Sequence, residues 1–458
     1  MDALPYPDFA DQPTVNAAMS NESVQQLANF REKARFALRH GDTSLAEQSY
    51  ARLLEAYPTD IESLQQLASI HLSRSEVLKA IELLDRAQRA HPNDPHTLHQ
   101  LGTAKMTAGD TRGAVADLRK GLALAPNMFV ARLRLSIMLD QLGETHDALI
   151  ACFNAINVAQ AQGRWLSDET TAPELRDVVK RAIQYVRLGR RSLFDGILEP
   201  LYQRYGRSEM ERVERCLAIY LGEQAADIPD ARQQPKFLYF PGIPSQPYYP
   251  RERFPWMASL EAGTASIREE LLDVLSQSQN LESFLQTDSP QDAAELLKSS
   301  NSQDPAWNAY FFHRHGKRFD ERCLKCPRTA NLLDTLPLAY VREHSPETLF
   351  SVLSPGTHIL PHHGVTNTRL VTHLPLIVPS ECALRVGGET HVWEEGRCIT
   401  FDDTFEHEAW NNSAETRVVL IVDSWNPDLS EAERAAVAEL VGAIGDFNRA
   451  SEVHTPRN

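Results

Sequence analysis

Pro58, Pro92 and Pro126 stand 34 residues apart, and the same step recurs at several independent positions. Ala46, Ala80, Ala114 and Ala148 keep it, as do Ala34, Ala68, Gly102 and Ser136, and the set Gly41, Ser75, Gly109 and Gly143. A fixed period of this length leaves few folds open. Each unit is one supersecondary element that cannot bury its apolar face alone, so neighbours must stack into a solenoid. Small side chains at two places per period let paired helices approach closely, while Tyr50, Leu84 and Leu118 fill the groove between neighbours. Gly41-Asp42 and Gly109-Asp110 supply turns, and the prolines end the second helix.

These positions together resemble the tetratricopeptide repeat. The resemblance implies four repeats over 23–162 and a concave face that takes up a peptide or protein partner, the alternative being that the solenoid only braces the second half of the chain; the stretch 1–22 is expected to be disordered. After Gly163 the period fades. Leu175, Val178, Val179, Ala182, Ile183 and Val186 share one helical face, Leu193, Phe194, Ile197, Leu198 and Leu201 continue it, and Val213, Cys216, Leu217 and Tyr220 mark another helix. Residues 163–230 are therefore expected to cap the solenoid and link it onward. The boundary is expected in the aperiodic stretch 223–236, which contains Pro229 and Pro235.

The chain has 458 residues, enough for two or three domains. Its formal net charge of −16 argues against a nucleic-acid phosphate surface as partner. Met1–Gln12 has neither a basic start nor an apolar core, so it does not read as a secretory signal, and no apolar run approaches the ~20 residues of a membrane span. A cytoplasmic location is the expectation. Cys323 and Cys326 have the spacing of half a zinc site, with no second pair to complete it.

Residues 231–458 change character. Phe237–Phe240 reads as a short aromatic strand, Trp256–Leu275 as helical, and 281–305 as a polar surface stretch with one short helix near 293–297. Trp307–His313 opens a run of strands, and from Thr348 short strands alternate with turns, as in a folded-over double-stranded β-helix. Ser430 and Glu433 form a capping box at the start of a last helix.

The chemistry is concentrated in these strands. His407 follows the acidic loop Phe401–Glu406, and Arg417 comes ten residues later at the head of the apolar run Val418–Val422. This pairing fits iron oxygenases that consume 2-oxoglutarate: the imidazole holds Fe(II), and the guanidinium clamps the co-substrate's far carboxylate. Pro361-His362-His363-Gly364 offers the second imidazole. Two His and one carboxylate on one face is the usual ligand set. The carboxylate expected two residues after His362 is replaced by Gly364, which leaves a third position to water unless Asp403 or His363 enters. Strand alternation turns Arg369, Val371 and His373 to one side, and Arg417, Val419 and Ile421 to one side of another strand. Asp402 and Asp403 are expected to orient His407 from behind, and Asp423 is an alternative partner for Arg417.

The residues Ser351, Pro355-Gly356, Pro361–Asn367, Arg369-Leu370, His373-Leu374, Trp393–Gly396, Phe401–Asp403 and His407–Trp410 resemble the aspartyl/asparaginyl β-hydroxylase family. Phe240–Pro244 and Phe254–Trp256 extend the match. The resemblance implies a multidomain α plus β chain, with a repeat solenoid followed by a jelly-roll, cupin-like catalytic domain. It also implies metal binding by His362 and His407 beside the vacant Gly364, and co-substrate contacts from Ser351, His373 and Arg417. Arg369 matches a family arginine and is assigned to the same cofactor-binding set. Val371 stands where animal members carry a second arginine. The implied activity is Fe(II)- and 2-oxoglutarate-dependent hydroxylation of an Asp or Asn β-carbon in a peptide or protein, with molecular oxygen. The alternatives are a lipid or small-molecule acyl substrate, or a non-catalytic repeat scaffold with a carboxylate-binding barrel.

Overall fold

A computed structural model describes residues 21–276, 281–285, 296–299 and 306–451, with side chains from residue 28 onward. The stretch 1–22 therefore lies outside the described residues except at its very end. So does most of the expected helix near 293–297; its last residue, Leu297, falls in a strand. Contacts group the chain into two compact units that meet in sequence at Val186 and Arg187.

The first unit is built of antiparallel helix pairs: α1 (Asn21–Arg39) with α2 (Thr43–Ala56), α3 (Ile61–Ser73) with α4 (Val77–Ala90), α5 (Pro95–Thr107) with α6 (Thr111–Leu124), and α7 (Phe129–Gln141) with α8 (Thr145–Ala161). The periodic positions do the work their chemistry suits. Ala46, Ala80, Ala114 and Ala148 are fully buried, and a Cβ on Gly102 would meet Leu118 Cγ at 2.7 Å, so the close approach of α5 and α6 requires glycine there. Gly41, Gly109 and Gly143 all adopt positive φ, and Ser75 takes the same left-handed turn at φ 62°. Asp42, Asp60, Asp94 and Asp110 each accept a backbone N–H at the following helix start. After α8 a loop leads to α9 (Arg176–Tyr205), whose first part covers the last repeat: Tyr185 OH donates to Asp140 at 2.8 Å, and Cys152 Sγ donates to the Ala182 carbonyl. No described helix is long and apolar enough to cross a membrane.

The second unit holds two antiparallel sheets. Its strands are β1 (Glu282–Ser283), β2 (Leu297–Ser299), β3 (Trp307–Arg314), β4 (Lys317–Arg318), β5 (Thr348–Leu353), β6 (Thr357–His362), β7 (Arg369–Ile377), β8 (Cys382–Val386), β9 (Glu389–His391), β10 (Ile399–Phe401), β11 (His407–Asn411) and β12 (Arg417–Trp425). The larger sheet runs β1-β3-β5-β12-β7-β10, with β4 added on β3, and the smaller runs β2-β6-β11-β8-β9. Strand alternation partitions the apolar residues. Leu370, Leu374, Leu376, Val418, Leu420 and Val422 turn outward to meet Leu260, Ile267, Leu271 and Leu333 of the covering helices. Val371, Phe401 and Val419 turn inward to meet Ile359, Leu384 and Ala409 of the smaller sheet.

Phe237–Phe240 is not a strand. It is tied down by a single bridge from Leu238 to Thr366, while Phe240 N–H donates to the Asn367 side chain, so side-chain capping replaces a ladder. The helical stretch after Trp256 divides at Gly263 into Met257–Ala262 and Thr264–Leu275. The expected boundary at 223–236 lies inside the second unit, because α10 (Glu211–Tyr220) is bound within it: Arg212 pairs with Glu433 of the last helix, Glu431–Ala450. That helix opens with the capping box read from sequence, Ser430 N–H donating to Glu433 and Glu433 N–H to Ser430 Oγ.

Candidate active site

Antiparallel register brings together two imidazoles 45 positions apart. His362 closes β6, His407 opens β11, and the two are direct Cα partners beside a bulge. Their ring centroids lie 4.0 Å apart at 51°. Each Nδ1 faces a carbonyl two residues back, His362 toward Leu360 at 2.9 Å and His407 toward Phe405 at 3.1 Å. A carbonyl can only accept, so Nδ1 carries a proton in both rings, and Nε2 is the nitrogen that holds the lone pair of each neutral imidazole. Burial, then the neighbouring His362, pushes the His407 imidazolium down to about 4, so the ring is neutral and ready to ligate at neutral pH.

Both rings line a cavity of about 160 Å³ between the sheets, and the opposite wall carries the other expected residues. Ser351 on β5, His373 on β7 and Arg417 on β12 all face it. Arg417 is 1% exposed. Its Nη1 donates to the Ser351 carbonyl and Oγ at 3.3 Å, Trp307 Nε1 donates to the same hydroxyl at 3.0 Å, and the guanidinium carbon lies 4.9 Å from the Trp393 ring. Among the described residues Arg417 has no carboxylate partner, and its Nε has no hydrogen bond at all. Burial alone pulls its pKa down to about 10. A cation held this deep without a counter-ion is costly unless an anion arrives. His373 is held neutral by burial and by Arg417, and its Nδ1 is also unpartnered.

Two expectations are corrected, those for Asp423 and for the Asp402-Asp403 pair. Asp423 does not pair with Arg417; it accepts from Arg369 at 3.3 Å. Arg369 also donates to Asp403 at 3.0 Å, so this arginine, expected among the cofactor-binding residues, is already engaged by two carboxylates. Burial works against its charge, but Asp403 and Asp423 more than compensate and hold its pKa above the usual value. Asp402 and Asp403 do not orient His407, whose Nδ1 is taken by backbone. Asp402 instead accepts from Thr404 and Gln233 and is pushed up to about 7, chiefly by burial. Asp403 fills the place that a side chain at 364 would need: a Cβ built on Gly364 would lie 2.2–2.3 Å from its carboxyl atoms. His363 does not line the cavity.

Trp307, Trp393 and Glu347 belong to the site, yet sequence reading gave none of them a role. Nothing in their local pattern separates them from core or turn residues. Cys323 and Cys326 are free, buried thiols, and no group of three or more His, Cys, Asp or Glu side chains able to hold a metal occurs among the described residues.

The family model for aspartyl/asparaginyl beta-hydroxylase matches residues 261–427, and a tetratricopeptide repeat model matches 31–95. Human aspartyl/asparaginyl beta-hydroxylase is 27% identical over 413 residues, covering 88% of this chain and 50% of that protein. The chain thus spans about half the length of that relative. Rat aspartate beta-hydroxylase domain-containing protein 2 is 34% identical over 257 residues, 53% of this chain and 71% of the relative. The ornithine lipid ester-linked acyl 2-hydroxylase of Rhizobium tropici is 34% identical over 198 residues, 43% of this chain and 66% of the relative. The matched segments include the imidazole pair and the strands that carry it, and the chain belongs to the aspartyl/asparaginyl beta-hydroxylase family.

Proposed function

We propose that this chain is an Fe(II)- and 2-oxoglutarate-dependent dioxygenase that hydroxylates a carbon of a peptide, protein or acyl substrate. The observation that carries the reading is the buried, carboxylate-free Arg417 across one cavity from two imidazoles with free Nε2 atoms. Iron(II) suits this donor set, since imidazoles bind it and the place beside Gly364 holds the Asp403 carboxyl group rather than a side chain of residue 364. The chemistry supplied by bound iron is oxidative: one oxygen atom enters a substrate C–H bond while 2-oxoglutarate becomes succinate and carbon dioxide.

The chain's own part is to bind, orient and keep dry. His362 and His407 would hold the metal, each imidazole fixed by its backbone carbonyl. Arg417 would take the distal carboxylate of 2-oxoglutarate, with the Ser351 hydroxyl and the unpartnered His373 Nδ1 beside it. Leu349, Ile359, Leu384 and Ile421 exclude water around that ion pair and so strengthen it.

The finer fold reading is a double-stranded β-helix of the jelly-roll, cupin-like kind. Its support is that β5, β7, β10 and β12 lie in the larger sheet while β6, β8 and β11, which alternate with them along the chain, lie in the smaller. The repeats are suited to present a peptide or protein partner. Six free thiols accord with a reducing compartment such as the cytoplasm.

The test is succinate release from 2-oxoglutarate with added Fe(II). Wild type should release succinate, and His407→Ala should lower the rate by more than the 10- to 100-fold, roughly, that follows loss of a mere supporting partner. A wild type that neither binds 2-oxoglutarate nor forms succinate would leave a repeat scaffold with a carboxylate-binding barrel.

A further inference from the structure

The first helices of successive repeats touch one another, α3 on α5 and α5 on α7, and form one face of the repeat unit. Residues 34 apart hold equivalent places on it: Gln66, Gln100 and Arg134 in one row, Ser69, Thr103 and Ile137 in the next. One bond is repeated between the rows. Gln100 Nε2 donates to Ser69 Oγ at 3.0 Å, and Arg134 Nη1 donates to Thr103 Oγ1 at 2.7 Å. Each hydroxyl is itself spent on a carbonyl four residues back, Ser69 on Gln65 and Thr103 on His99, so toward the next repeat both act as acceptors. Gln100 makes this bond with a neutral amide. The fourth repeat makes it with a cation, whose charge the bond does not need.

That charge is not balanced. Among the described residues no carboxylate pairs with Arg134; its other partner is the His99 ring, and both bonds use Nη1. Burial, then Arg134, holds the His99 imidazolium down to about 3, so the ring is neutral. Neighbouring charges are spent elsewhere. Arg31 and Arg35 pair with Asp60 and Glu62, Asp94 caps α5 and accepts from Gln65, and Asp140 accepts from Tyr185. Arg132, two residues away and so on another side of α7, donates to the Pro126 carbonyl. Arg134 is only part-buried, and Ile137 one turn on is 37% exposed, so this part of the face is open to a partner.

Resting on the reading of the repeats as a partner surface, we propose that this face receives an extended polypeptide segment, one aspartate or glutamate side chain of which pairs with Arg134. A guanidinium holds a carboxylate by charge-assisted hydrogen bonds, and Nη2 is left for that purpose. The amide, hydroxyl and imidazole groups in the rows beside it suit a peptide backbone, and a solenoid face follows an extended chain. One cation, in a chain of net charge −16, suits a single carboxylate rather than a nucleic-acid polyanion.

The experiment selects short random peptides on the full chain and resynthesises them with acetylated and amidated ends, so that only side chains carry carboxylates. Fluorescence anisotropy reads the affinities. The selected peptides should share an aspartate or glutamate, and its replacement by asparagine or glutamine should weaken binding at least about tenfold. Arg134→Gln installs the residue that already serves at position 100, so the bond to Thr103 is kept while the charge is lost. This variant should lose the same factor for the acidic peptide, and on it the peptide substitution should cost less than about twofold. Because each chain is compared across two peptides, a general loss of stability does not mimic this result. Arg134→Lys should retain most of the affinity. Selected peptides without an acid, or an Arg134→Gln chain that binds them as the wild type does, overturn the inference alone. A wild type that selects no peptide overturns it together with the reading of the repeats as a partner surface, and leaves the dioxygenase reading to the succinate assay.

Discussion

The two units bury polar groups differently. In the repeat unit the buried polar side chains among the described residues are Ser49, Ser63, Gln65, Thr97, Ser136, Asn154, Thr171 and Ser451, and none of them carries a charge. The sheet unit buries Glu270, Asp402, Asp403, Glu408, Arg417, Asp423 and Glu433. Burial of charge is expensive, and a fold that only needs stability avoids it. The repeats follow that rule: their neutral groups bond nearby, as Ser49 Oγ does to the Leu45 carbonyl and Gln65 to Thr97. The second unit breaks it, and three of its buried charged side chains, Asp403, Arg417 and Asp423, line one cavity. The difference separates a region built for packing from a region built to receive charged and polar molecules.

The sharpest way to break this comparison is Arg369→Met, which strands Asp403 and Asp423 without their shared cation. Unfolding by denaturant should show a loss of about 3–5 kcal/mol, the usual cost of removing one partner from a buried pair. A loss under about 1 kcal/mol would mean that the buried charges of the sheets are no more consequential than surface pairs. On the repeat side, Leu84→Ala should cost about 2–5 kcal/mol by opening a cavity, with succinate formation per folded molecule unchanged.

Arg417→Met should act in the opposite direction on stability. It removes a buried cation that lacks a counter-ion, so the ligand-free protein should gain about 1–4 kcal/mol, read as a higher Tm, while the thermal shift produced by 2-oxoglutarate disappears. A lower Tm for the variant would show that Ser351 and Trp393 already satisfy the guanidinium.

The smallest effect concerns Glu347. Burial pushes its pKa up to about 7, whereas an unfolded glutamate titrates near about 4.3. The folded state therefore holds the proton more tightly, and the stability it contributes is full below the unfolded value and lost as pH rises through about 7. Chemical denaturation should show wild-type stability falling between pH about 5 and about 8, and Glu347→Gln should flatten that fall. An unchanged slope would place the proton elsewhere, with Asp402 the next group to substitute.

The repeat unit was legible from sequence to the level of single turns: Gly41, Ser75, Gly109 and Gly143 all take positive φ where the 34-residue step put a turn. Contacts there join neighbours in sequence, so local pattern carries nearly all the information. The helix cover after Gly163 was legible as apolar faces, but the partition at Val186 was not, because α9 runs through it unbroken. In the sheet unit, strand alternation correctly turned Arg369, Val371 and His373 to one face and Arg417 to the cavity. It could not say which acids those arginines would meet.

By itself, then, the amino-acid sequence determined the repeat, the residue types of the site and the face of each strand they occupy, since period and alternation are properties of neighbouring residues. Only the tertiary structure decided that Asp423 lies against Arg369 and leaves Arg417 without a carboxylate, and that Asp403 fills the space beside Gly364. Those pairings depend on register between strands far apart in the chain, and a register is set by the packing of two whole sheets rather than by any local run of residues.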